Sequence, residues 1–95
     1  MRIALDYDKT YTADPEMWDC FITLAKARGH SVEVVTMRRR EWSEVIPEQL
    51  SERASRVEYT DRKAKKPHME ALGRPVDIWI DDMPQFILQD AWTGD

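Results

Sequence analysis

Short apolar runs that stop at polar residues recur along the chain. Ile3-Ala4-Leu5 stops at Asp6, Ser31-Val32-Glu33-Val34-Val35 stops at Thr36, and Val76-Asp77-Ile78-Trp79-Ile80 stops at Asp81-Asp82. Runs this short, rich in β-branched residues, read as strands, with Arg56-Val57-Glu58-Tyr59 as a further short one. Between the strands the apolar spacing changes to that of helices. Met17, Trp18, Phe21, Ile22, Leu24 and Ala25 make one face of a helix over 15–28; Asp14 stands at its N-cap, Pro15 at its first position and Gly29 at its stop. Cys20 falls on the apolar side of that helix, where a small buried core residue is expected. Trp42, Val45, Ile46, Leu50 and Ala54 also have helical spacing, and Pro47 starts a helix over 47–54. Pro67 to Leu72 reads as a short helix closed by Gly73, and Pro84 to Trp92 as a last helix beginning at another proline. Trp18, Trp79 and Trp92 have apolar neighbours and read as core, whereas Trp42, flanked by Arg40, Glu41 and Ser43, reads as exposed. Strand and helix alternate four times. That alternation predicts an α/β domain over 1–95, a three-layer Rossmann-like parallel sheet of four strands joined by right-handed crossovers.

Length sets a bound on stability. A chain of 95 residues buries roughly 60 to 65 per cent of its surface on folding, so stability is marginal and association into a homo-oligomer is in keeping with the size. No apolar run approaches the roughly 18 residues that span a bilayer, and the start goes straight into a strand without a signal peptide's apolar stretch. Both features predict a cytoplasmic protein without a membrane segment. One cysteine excludes an internal disulfide and a cysteine-based metal site. The net charge of −4 is unevenly placed: residues 38–74 carry ten basic and seven acidic groups, and residues 75–95 carry none and five. A strong nucleic-acid binder would be basic overall. Any polyanion contact is therefore confined to Arg38-Arg39-Arg40 and to Lys63 through Lys66.

Candidate chemistry sits at the ends of the strands, where α/β proteins bind their ligands. Asp6 and Asp8 follow the first strand two residues apart, which makes a metal and a phosphate the first suspects. Taken singly, each polar residue has a plain structural role as well. Asp81 or Asp82 would cap the helix near Pro84, Lys65 or Lys66 would be solvated surface, and Thr36 would simply end a strand. A parallel sheet has no structural need for acids at the ends of two of its strands. His30 and His68 fall on no such position.

Acid pair, hydroxyl, lysine and acid pair, in that order, resemble the haloacid dehalogenase-like (HAD) superfamily of aspartyl-phosphate-forming hydrolases over residues 3 to 84. Its first motif, Asp-x-Asp-x-Thr/Val, is matched by Asp6, Asp8 and Thr10; its second, a strand ending in Thr or Ser, by Thr36. The third, a lysine near a helix start, is matched best by Lys66 before Pro67, and the fourth, a strand ending in Asp-Asp, by Asp81 and Asp82. The resemblance implies a HAD-like core with the strand order fourth, first, second, third. It also implies that Asp6 is the nucleophile and Asp8 the acid and then the base. Mg²⁺ would be held by Asp6, the Asp8 carbonyl and Asp81, with Asp82 a further or alternative ligand, and phosphate by Thr36 and Lys66. The Thr10 hydroxyl would fix the loop holding Asp8.

The chain departs from that pattern at position 9, where glycine is common and Lys9 stands. It also has no room for a cap domain and no candidate for a fifth strand. An uncapped site is open to large substrates, which points to nucleotide, polynucleotide-end or macromolecular phosphates. Arg38, with Arg39 and Arg40, either forks such a phosphate or pairs with Glu41, Glu44 and Glu48 on the following segment. The expectation is a Mg²⁺-dependent phosphomonoesterase. Its alternative is a catalytically weak binding or regulatory domain acting through a partner.

Overall fold

The computed structural model describes residues 1–41 and 46–91; Trp42, Glu44, Val45 and Trp92 lie outside the described residues, and the last helix, expected to run to Trp92, stops at Leu88 because the backbone turns extended at Gln89. Strands and helices alternate as β1 (Arg2–Leu5), α1 (Pro15–Ala27), β2 (Ser31–Thr36), α2 (Glu48–Arg53), β3 (Arg56–Tyr59), α3 (Lys65–Ala71), β4 (Ile78–Ile80) and α4 (Gln85–Leu88). The strands form one parallel sheet in the order β3-β2-β1-β4. Leu5 is level with both Val34 and Ile80. The residues that follow β1 and β4 therefore emerge side by side, with the end of β2 next to them.

Pleating sorts the strand residues onto two faces. Ile3, Leu5, Val32 and Val34 pack beneath Ile22 and Ala25 of α1 and Leu50 of α2, with Trp18 and Phe21 against the same cluster. Ala4 and Val35 turn the other way and meet Met69 of α3, with Trp79 and Val76 at the margin. The Asp14 carboxylate caps α1 by accepting from the Met17 N–H at 3.2 Å. Gly29, at φ +88°, takes the left-handed turn that ends the helix.

The buried stripe of α1 is narrower than the sequence predicts. Trp18, Phe21, Ile22 and Ala25 follow the helical repeat onto the sheet, whereas Met17 and Leu24 are 50 % and 61 % exposed. Cys20 is exposed too, not buried as expected. It lies two residues from both Trp18 and Ile22, which on a helix is about 200° away. Met17 and Leu24 flank the side toward β4, a three-residue edge strand too short to cover them. An apolar groove of about 310 Å³, lined by Phe21, Leu24, Ile78 and Ile80, is left there.

On the α3 side, Glu33 is fully buried within β2. Arg74 reaches both of its carboxylate oxygens at 3.0 Å, and Arg2 Nε lies 2.8 Å from Oε2. Two guanidiniums on one carboxylate fasten the N-terminal strand and the segment after α3 to the sheet. Helix α3 begins at Lys65, two residues before the proline expected to start it. Pro67 is tolerated there because the first-turn N–H groups have no helical acceptor. Among the described residues no helix is long and apolar enough to cross a membrane.

Candidate functional site

Asp6 follows β1 directly, is buried, and donates its backbone N–H to Ile80 O at 2.9 Å. That bond ties the first acid to the end of β4. The Lys65 ammonium, at the first position of α3, donates to Asp6 Oδ1 at 2.8 Å and to Asp81 Oδ2 at 2.6 Å. Lys65 and Asp81 side chains are each only 3 % exposed, so this ammonium is shared by two carboxylates in a dry setting. Asp81 Oδ1 accepts from the Met83 N–H at 2.9 Å, which fixes its orientation.

The Thr10 hydroxyl lies 3.1 Å from Asp6 Oδ2 and 3.1 Å from Asp82 Oδ1. One hydroxyl has one proton, so it donates to one of the two at a time. The Asp82 N–H donates back to it at 3.2 Å. Burial pushes the Asp6 carboxyl up from 3.8 to about 6, against the pull of Lys65, and Asp82 adds to the rise. Asp82 is held below its usual range, first by its hydrogen bond with Asp6 and then by Thr10. The two acids are thus pushed apart, Asp6 upward and Asp82 downward, by unequal burial and by the Thr10 hydroxyl between them.

Asp6, Asp81 and Asp82 can present one oxygen each within 4.8 Å of one another. Three carboxylates against one ammonium leave two negative charges when all are ionised, and an all-oxygen donor set suits a hard divalent cation. Asp8 does not join this cluster. Its side chain is 49 % exposed and is forked by Arg38, Nε to Oδ2 at 2.8 Å and Nη2 to the other oxygen. Arg38 also stacks over Tyr7, its guanidinium carbon 5.3 Å from the ring centroid. Arg40 lies over Tyr59 at 5.5 Å. The first arginine of the run therefore holds a carboxylate of the site itself, and neither Glu41 nor Glu48 is that carboxylate.

Thr36 is buried at the end of β2, its hydroxyl accepting from the Arg38 N–H at 3.2 Å. Asp6, Asp8, Thr36, Arg38, Lys65 and Asp81 all line one open cavity of about 390 Å³. Lys66, the lysine that the sequence favours, is elsewhere. It is exposed and paired with Glu70 one turn on. The reason is the earlier helix start, which puts Lys65 at the first position facing the sheet edge and turns Lys66 about 100° away.

Position 9 has a backbone explanation. Lys9 has φ +64°, the left-handed conformation that glycine adopts without penalty, and its N–H donates to Thr12 Oγ1 at 2.9 Å. The second wall of the cavity has no counterpart among the sequence candidates. It is made by Met37, Met83, Phe86 and Ala91, with Arg62 beside them. Met37 and Met83 stand just after the polar strand ends Thr36 and Asp82, the one signal that could have marked them. No family model, curated protein or solved structure matches the chain.

Proposed function

We propose that the protein is a capless, HAD-like phosphomonoesterase in which Asp6 is the nucleophile. The observation that carries this reading is the Lys65 ammonium bound to Asp6 and Asp81 at once, where three strand ends meet in one open cavity. A phosphoryl group entering there would meet a carboxylate nucleophile, an ammonium and the Thr36 hydroxyl. Phosphoryl transfer is catalysed mainly by positioning and by neutralising the oxygens.

In the first step an Asp6 oxygen bonds to phosphorus while the ester P–O bond breaks, and Asp8 delivers a proton to the departing oxygen. In the second, water attacks the same phosphorus, Asp8 takes its proton and the Asp6 carboxylate leaves, giving inorganic phosphate. Asp8 is a carboxylate while Arg38 forks it, so it must take up a proton before the first step. Transfer of the Arg38 fork from Asp8 to the incoming phosphate releases Asp8 for that role. Asp6, Asp81 and Asp82 would hold Mg²⁺, which supplies charge neutralisation to the phosphoryl oxygens when bound.

The Arg38–Asp8 pair also favours a second reading, a phosphate-binding or regulatory domain that keeps the site without efficient turnover. Phosphate release from a panel of phosphomonoesters, with and without Mg²⁺, separates the two. Mg²⁺-dependent release that is lost in Asp6→Asn supports the enzyme. Phosphate binding without release supports the domain that only binds.

A further inference from the structure

The phosphoryl group accounts for one wall of the cavity and leaves the other unexplained. Met37, Met83, Phe86 and Ala91 come from three separate segments, the turn after β2, the turn and helix after β4, and the segment beyond α4. Met83 is 43 % exposed at this mouth, a hydration cost that the core does not require. Ligand cavities with few polar groups and a larger apolar lining hold the apolar body of the ligand on that lining.

The wall is tied together by backbone hydrogen bonds. Arg62 N–H donates to Met37 O at 2.9 Å, Ala91 N–H to Arg62 O at 2.9 Å, and Phe86 N–H to Met83 O at 3.1 Å. Asp90 accepts from the Ala64 N–H at 2.7 Å, which binds the end of the chain segment to the start of α3. Asp61 and Arg62 both have positive φ, +55° and +69°. Two adjacent residues in that region persist only where their surroundings fix them, and such strain gathers at ligand sites. The turn brings Arg62 to the cavity beside the apolar wall.

We propose that the substrate is a nucleoside phosphomonoester whose base lies on the Met37, Met83 and Phe86 wall while its phosphate is held by Lys65 and Thr36. The proposal rests on the phosphatase function and names the leaving group. A flat aromatic body suits a phenyl ring and two thioethers, because every base has a π-face and sulfur packs well at ring edges. Arg62 then faces the polar edge of the base or the next phosphate. The same chemistry is offered by a free mononucleotide and by the terminal nucleotide of a chain.

The test compares adenosine 5′-monophosphate, a 5′-phosphorylated oligonucleotide and glycerol 3-phosphate, three esters of primary alcohols with similar intrinsic reactivity. Turnover is measured on the wild type, on Phe86→Ala and on Phe86→Leu, and equilibrium binding of the same compounds on Asp6→Asn. Either nucleotide should exceed glycerol phosphate in kcat/KM by at least about tenfold. Phe86→Ala should shrink that ratio by roughly fivefold to a hundredfold, the range that loss of base stacking on a protein ring spans. General destabilisation lowers both rates and leaves the ratio alone; Phe86→Leu, which keeps the apolar contact, should retain part of it. The better of the two nucleotides identifies the source. Hydrolysis of all three at equal kcat/KM overturns the proposal and leaves the phosphatase standing. Absence of turnover on every ester removes the phosphatase, and in that case equal binding of nucleotide and glycerol phosphate to Asp6→Asn overturns the proposal as well.

Discussion

Replacing Asp6, the proposed nucleophile, should make the metal-free protein more stable. Asp6 is buried, and its carboxyl is pushed from 3.8 to about 6 chiefly by that burial. The folded state therefore binds a proton more tightly than the unfolded chain does. Between about pH 4 and pH 6 the folded form holds more protons, so stability falls as pH rises through this window and stays lower above it. A shift from 3.8 to about 6 corresponds to roughly 3 kcal/mol. That figure is already net of the attraction of Lys65 at 2.8 Å, and Asn has nearly the same shape and no charge to desolvate. The net gain for Asp6→Asn at pH 7 is then about 1 to 3 kcal/mol. In a domain of this size each kcal/mol moves Tm by roughly 4 to 8 °C. Unfolding followed by circular dichroism in chelator, from pH 4 to pH 8, measures the difference directly. It should be largest above pH 6 and should vanish near pH 4. A variant that is less stable than wild type at pH 7, or a difference that ignores pH, would refute the burial argument.

The two neighbouring lysines should behave oppositely. Lys65→Met removes the only cation within hydrogen-bond reach of Asp6 and Asp81 among the described residues, and loss of one partner from a buried pair costs about 3 to 5 kcal/mol. Lys66→Ala, at an exposed pair with Glu70, should shift stability by less than about 0.5 kcal/mol, and chemical denaturation distinguishes them. Lys9→Gly should raise stability by up to about 1 kcal/mol, because the left-handed penalty at φ +64° slightly exceeds the entropy glycine adds to the unfolded chain. Millimolar Mg²⁺ should raise the wild-type Tm, since a ligand that binds only the folded state stabilises it, and Asp81→Ala should lose the response. A Tm indifferent to Mg²⁺ removes the cation site.

Strands β1, β2 and β4 were legible because each is a short apolar run that ends at a polar residue, and the candidate site was legible because the ends of β1 and β4 carry the acids. Asp6, Thr36 and Asp81 needed only the parallel sheet to come together. Lys65 was not chosen because proline is commonest at the first helical position, yet Pro67 sits in the third, a difference of two residues that decides which ammonium faces Asp6. Asp8 could be placed on its loop but not paired, since its partner Arg38 is thirty residues away. Met17, Leu24 and Cys20 were misread because a helical stripe gives direction without width. How much of it is covered depends on β4, and a three-residue edge strand covers little. Glu33 in mid-strand has no basic neighbour in sequence to mark its pairing, and only the fold brings Arg2 and Arg74 to it. The apolar wall carried no motif, because apolar residues in turns have no periodicity to betray them.

Covalent capture of phosphate on Asp6 tests the proposed chemistry most directly. The Asp8→Asn variant, in which breakdown of the intermediate lacks its base, is mixed with radiolabelled phosphomonoester and Mg²⁺ and quenched in acid. Borohydride then reduces any acyl phosphate, and peptide mass spectrometry reads the residue converted to homoserine. Label bound to the protein and homoserine at position 6 is the expected result. Phosphate release without covalent label, or label on any residue other than Asp6, would contradict it.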